Sequence, residues 1–143
     1  MNRTARRTVA LVVLIASVYC AHAQAAELTV VLRDVRAQTG LVKVALVDSQ
    51  AGWDGQAAPV QATGGPPNGE TATFVFKDVA PGAYAVMITH DENGNGKLDS
   101  NQLIGMPVEG YGFSNNPRVM RKPTWDEARF ELTADQSIDI TLR

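Results

Sequence analysis

The chain has 143 residues, with 13 Lys and Arg against 15 Asp and Glu, one Cys and two His. That length suits one domain with a real core. The acidic balance and the lack of a basic block in the body of the chain argue against nucleic acid or anionic lipid as a partner.

The N-terminus is read first. "MNRTARR" places Arg3, Arg6 and Arg7 ahead of the apolar run "TVALVVLIASVY", and small residues follow in "CAHAQAA". This is the three-part pattern of a secretory signal peptide, and the run is too short for an ordinary membrane span. Residues 1–23 are therefore expected to be a leader cut after Ala23, with a cut after Ala25 as the alternative. That leaves 24–143 as a single domain in the periplasm or the medium, with no membrane span. Cys20 raises a lipoprotein alternative, but Tyr19 before it is bulkier than such a cut usually accepts. Without the leader the charge is 10 − 15 = −5 and no Cys remains. Stability must then come from the core, or from a bound ion, without disulfides.

From Glu27 onward period-2 alternation recurs and helical periodicity is nearly absent. "ELTVVLR" turns Leu28, Val30 and Leu32 to one face, and "LVKVALV" does the same with Val42, Val44 and Leu46, Lys43 lying opposite. The connection "AQTG" between them has hairpin length. "GGPPNG" at 64–69 reads as a break that no strand or helix tolerates. "TATFVFKDV" points Ala72, Phe74 and Phe76 inward, and "AYAVMITH" aligns Tyr84, Val86 and Ile88 after the Pro-Gly turn of "APGAY". A Tyr at such a corner ties its hydroxyl to nearby backbone in Greek-key folds. Asp91 to Ala128 shows no strand and is too long for an idle connection. Inside this excursion "PTWDEA" carries Thr124 and Glu127 at capping-box spacing, the mark of a short helical turn. "RFEL" and "SIDITLR" close the chain with Phe130, Leu132, Ile138, Ile140 and Leu142 inward. Six half-buried strands predict an all-β fold, an antiparallel Greek-key β-sandwich of the prealbumin/immunoglobulin-like kind.

The stretch "HDENGNGKLD" at 90–99 carries the most chemistry. Counting from Asp91, the calcium-loop template is met by Asp91, Asn93, Asn95 and Gly96, with a backbone carbonyl from Lys97 and Asp99 at the ninth position. A hard cation wants six to eight oxygens, and alternate side chains of a tight loop converge on one point. Position twelve is Gln102 rather than a bidentate Glu, and the approach is a strand, so this is no EF-hand. Glu109, Asp126 or Glu127 could supply the missing carboxylate. So few charged ligands place the calcium affinity at roughly 10⁻⁴ to 10⁻³ M. The competing reading is that two Asn-Gly pairs simply make turns.

Other candidates are weaker. His90 continues the inward parity of β-type residues before it, so a satisfied histidine at the core edge is favoured over a ligand or base. After the leader it is the one His left and no Cys remains, which rules out the usual Cys/His zinc sites. Ser49, Ser100, Ser114 and Ser137 lack a nucleophile-elbow context. No enzyme is expected; a hydrolase using carboxylates around His90 is the least favoured alternative. Tyr111, Phe113 and Trp125 could instead form a platform for a carbohydrate or a protein partner without metal. Plugging the end of the sandwich is the preferred role for them, and Trp53 has the same ambiguity.

"HDENGNGKLDSN", "IGMPVEGYGFSNNP", "PTWDEARFEL" and "SIDITLR" together resemble the bacterial exported family known as domain of unknown function 2141, over about Glu27 to Arg143. "VAPGAYAVMITHDENG" is similar, over a short span, to the strand junction of transthyretin-like and carboxypeptidase-regulatory-like domains. The resemblance implies a small exported β-sandwich of Gram-negative bacteria. It implies no reaction, ligand or catalytic residue.

Overall fold

Apolar alternation builds the frame. In the computed structural model, which describes residues 24–143, the inward residues Leu28, Val30 and Leu32 meet Val42, Val44, Leu46, Val86 and Ile88 in one buried cluster. Each such aliphatic side chain contributes about 1.5–3 kcal/mol by leaving water. The expected leader, 1–23, lies outside the described residues.

The strands in chain order are β1 (Ala26–Arg33), β2 (Leu41–Val47), β3 (Gln61–Gly65), β4 (Thr71–Val79), β5 (Gly82–Asp91), β6 (Gly110–Phe113), β7 (Phe130–Leu132) and β8 (Gln136–Thr141). Two one-turn helices, α1 (Gln50–Trp53) and α2 (Trp125–Ala128), are the helices among the described residues. One sheet has the order β4-β1-β8, and the other has the order β3-β2-β5-β6, with β7 also paired to β5. The fold is all-β, as expected, with two sheets on one shared core. Among the described residues no helix is long and apolar enough to cross a membrane.

Several details differ from the expectation. The pairing is not wholly antiparallel, because β8 runs parallel to β1, from Leu28 opposite Gln136 to Arg33 opposite Thr141. β8 reaches that edge by crossing from the other sheet, so no hairpin forces it to run the opposite way. Residues 37–40 do not form a hairpin either. β1 and β2 lie in different sheets, and the segment between them is a crossing. Buried Val35 anchors it, and its N–H donates to the Glu70 carbonyl at 3.0 Å. Gly40 ends the crossing at φ +76°, where an added Cβ would lie 1.8 Å from the Asp91 carbonyl oxygen. Only glycine fits there.

The excursion 91–128 does contain a strand, β6, pairing Gly110–Phe113 with His90–Met87 of β5. Its inward positions are glycines, so it shows no apolar alternation. A Cβ on Gly112 would meet Ile140 Cγ2 at 2.8 Å, which shows how closely this strand lies on the core. β3 is an edge strand of "QATGG" and includes Gly64 and Gly65, so the break begins only at Pro66. The other joints are as expected. Tyr84 donates its hydroxyl to the Ala80 carbonyl at 2.8 Å. At α2, Thr124 Oγ1 accepts from the Glu127 N–H (3.3 Å) while Glu127 Oε2 accepts from the Thr124 N–H (2.7 Å), a complete capping box. Ser114, just after β6, ties that strand's end to β5 and to the end of α2. It exchanges bonds with Val86 (2.9 and 3.0 Å) and donates its hydroxyl to the Ala128 carbonyl at 2.6 Å.

Candidate metal centre

β5 delivers Asp91 to the loop as its last residue, only 4% exposed. The Asn95 N–H donates to Asp91 Oδ1 (3.1 Å) and the Gly96 N–H to Oδ2 (2.8 Å). Gly96, at φ +84°, turns the chain to make this possible. A shorter bond, from the N–H two residues ahead, then recurs along the loop. Asn93 Oδ1 accepts from the Asn95 N–H, and Asn95 Oδ1 from the Lys97 N–H, each at 2.9 Å. Such Asx bonds turn alternate side chains to one side of the loop. Asn93 Nδ2 and Asn95 Nδ2 both donate to Asp99 Oδ2, at 2.6 and 2.9 Å.

The loop thus gathers Asp91, Asn93, Asn95 and Asp99, with Lys97 on its rim. Of the three acids that could join them, Glu109 does. Only 5% exposed, it accepts the Glu92 and Asn93 N–H groups on Oε1 (2.9 and 3.2 Å) and the Asp99 N–H on Oε2 (2.9 Å). Glu127 is paired with Arg121 at 2.7 Å and Asp126 with Arg129 at 2.8 Å. Gln102 sits exposed in the turn that follows.

Burial alone would push the Asp91 carboxyl up. The N–H groups of Gly96 and Gly94, the Lys43 ammonium and the Asn95 N–H outweigh it and hold the group below its ordinary value. Lys43 Nζ lies 3.6 Å from Asp91 Oδ2 and 3.5 Å from the Gly96 carbonyl oxygen. Glu92 is neutralised by Arg36 at 3.0 Å. Asp99 and Glu109 have no Lys, Arg or His nitrogen within 4.0 Å among the described residues. Nor do three His, Cys, Asp or Glu side chains gather there closely enough to hold a metal by themselves. A cation at this loop would rest on mixed carboxylate, amide and carbonyl oxygens, the hard donor set that suits calcium.

His90 is fully buried; its Nε2 faces the Thr39 carbonyl at 2.8 Å, and Nδ1 has no partner among the described residues. It is a core-edge histidine as expected, but only half satisfied. Its hydrogen-bond partner is a backbone carbonyl, not a carboxylate.

The aromatics pack in a chain. Buried Trp53 donates Nε1–H to the Pro123 carbonyl at 2.9 Å and anchors a second small core with Val47, Ala85 and Ala128. Phe113 lies 5.6 Å from it at 56°, Trp125 6.5 Å at 62°, and Tyr111 lies 5.9 Å from Phe113 at 60°. Tyr111, Phe113 and Trp125 are half-buried and mutually tilted, so they do not offer one flat exposed plane. Sequence reasoning missed Lys43, Arg36 and Thr39 as supports of the loop, since each comes from a distant segment with no local signal.

Two mainly antiparallel sheets on one core, with an Asx-rich loop issuing from a central strand, define a small all-β protein with a candidate ion loop. Residues 30–141 match the family described as "Uncharacterized protein conserved in bacteria (DUF2141)", and the chain belongs to that family. No curated protein and no solved structure matches it.

Proposed function

We propose that this protein is an exported, non-catalytic binding or structural module of Gram-negative bacteria whose 91–99 loop takes calcium weakly. Its finer architecture on this reading is a Greek-key sandwich of the prealbumin/immunoglobulin-like kind. The passage of the chain from β3 to β4 in the other sheet, then back to β5 beside β2, supports that. So does the Tyr84 corner. Export rests on the leader-like N-terminus.

The observation that carries the calcium reading is the loop's hydrogen-bond pattern. Residues 91, 93 and 95 are each turned by N–H groups further along the loop, which leaves a second lone pair on each oxygen for a cation. Asp99 and Glu109, acids without a cationic partner among the described residues, stand beside them. An ion would bind the folded loop and not the unfolded chain, and so would stabilise the base of the excursion.

Calcium titration of the metal-stripped protein, followed by the amide resonances of Asn95, Gly96 and Lys97, tests this. The resonances should shift with a Kd of roughly 10⁻⁴ to 10⁻³ M and much less with magnesium. Asp99→Asn should weaken the response, and the thermal midpoint should rise with calcium in the native protein alone. Unmoved amides at about 10 mM calcium would leave the loop as a self-bonded turn.

A further inference from the structure

The outer side of the excursion carries a feature that the ion loop does not use. A cleft of about 270 Å³ opens between the turn at 101–105 and the segment 118–122. Its walls are Met106, Tyr111, Phe113 and Met120, and Arg121 and Lys122 stand beside them. Aromatic faces and thioethers make an apolar surface that adapts to the shape of a guest. The Met120 wall is open to water, 84% exposed, and the turn leading into Gly105 of the lining is apolar and exposed as well, with Leu103 at 93% and Ile104 at 71%. The turn that presents Leu103 and Ile104 is held by the Gly105 N–H to the Asn101 carbonyl (2.7 Å) and the Asn101 N–H to the Met106 carbonyl (2.8 Å). The exposed pair is therefore fixed next to the cleft.

Charge selects among guests. Residues 100–122 contain Arg118, Arg121 and Lys122 against a single acid, Glu109, and that acid is buried and turned to the loop amides. Arg121 shares its guanidinium with Glu127. Lys122 donates to the Trp53 carbonyl and lies 4.9 Å from the centre of the Trp53 ring. An ammonium has three donors, so further ones remain. Arg118 is exposed, with no carboxylate within 4.0 Å among the described residues. In a chain whose residues 24–143 sum to 10 − 15 = −5, Arg118 and Lys122 are cations with no carboxylate within 4.0 Å among the described residues.

We propose that the cleft binds a short anionic amphiphile. The chain lies against Met106, Tyr111, Phe113 and Met120, and the anionic end faces Lys122 and Arg121. The volume falls just below the roughly 300–1,000 Å³ of drug-sized sites, which suits a chain of about eight carbons. Tilted rings and apolar walls favour such a chain over a sugar.

The test uses octanoate, octanol and octylammonium, which share a chain and differ in head-group charge. Binding to the purified protein is followed by tryptophan fluorescence and by titration calorimetry in EDTA, so the outcome is independent of the calcium reading. Octanoate should bind several-fold tighter than octanol, and octylammonium weakest, with the preference shrinking as salt rises. Met120→Asp, at an exposed position, should weaken octanoate about tenfold or more by setting a like charge on the wall. Lys122→Gln should bring octanoate and octanol close to parity. Equal affinity for the three probes, no octanoate binding, or an indifferent Met120→Asp variant would overturn the proposal. So would binding to phosphatidylglycerol vesicles without binding to octanoate, which would assign the patch to a membrane surface.

Discussion

Replacing Gly40 by Ala tests how the crossing between the sheets holds the start of the loop. Gly40 sits at φ +76°, and its missing Cβ would fall 1.8 Å from the Asp91 carbonyl oxygen and 2.8 Å from Glu92 Cα. Two costs follow. An L-residue in the left-handed region loses about 1–2 kcal/mol, and forcing atoms into an occupied site adds about 1–3 kcal/mol. Both contacts are backbone, so neither can be relieved by a rotamer change. Gly55 is the control: its φ is +74°, yet nothing lies within 4 Å of an added Cβ. Gly55→Ala should therefore show the conformational cost alone, and Gly40→Ala about 1–3 kcal/mol more. Equilibrium urea unfolding of both variants measures the difference directly, provided the slopes with denaturant agree. Equal destabilisation by the two substitutions would refute the close contact between the crossing and the loop.

Two further outcomes are expected. Ser114→Ala strands the buried Val86 N–H, which donates to that hydroxyl at 2.9 Å, and the Ala128 carbonyl, which accepts from it at 2.6 Å. It should cost about 1–3 kcal/mol by urea unfolding, and a loss near zero would mean that β5 and α2 are not joined through Ser114. Acid should loosen α2: the bond from Arg121, then that from the Thr124 N–H, hold Glu127 at about 2 instead of 4.5. A carboxyl lowered by folding stabilises fully above its unfolded value and loses that contribution as pH falls from about 4.5 toward about 2. Glu127→Gln should flatten the pH dependence of the thermal midpoint in that window, and an unchanged slope would contradict the pairing.

What could be read from the residues depended on what faced inward. Leu28, Val30, Leu32 and their counterparts announce strands because their inner side chains are apolar. β6 was invisible because its inner positions are Gly110 and Gly112, pressed against His90, Leu142 and Ile140. β3 was invisible because an edge strand of Gln, Ala, Thr and Gly pairs through its backbone and presents no apolar stripe. A seven-residue link can serve equally as a hairpin loop or as a crossing, and only the partners of β1 decide between them. At the loop, the Asp91–Asn93–Asn95–Asp99 spacing was legible because Asx bonds are local. Lys43 was not, since it reaches Asp91 only through the β2–β5 register that sets it opposite Thr89. Glu109 was one of three possible acids until β6 carried its neighbour Gly110 opposite His90.

On the proposed reading, these supports account for a weak ion site. Asp91 already receives two N–H bonds and has the Lys43 ammonium at 3.6 Å, so most of its charge is answered within the chain. Asn93 and Asn95 satisfy Asp99 through their amide nitrogens, and Glu109 is satisfied by three backbone N–H groups. On the proposed reading a calcium ion displaces some of these bonds and adds charge neutralisation at Asp99 and Glu109, so its gain is the difference between two bonded states. That difference is small because each of these oxygens already has a partner within the chain. The advantage passes to the excursion. Leu98, which adjoins Asp99, lines the apolar cleft on the far side, and Tyr111 follows Glu109 by two residues. The loop that orders the acids therefore also positions two walls of the cleft.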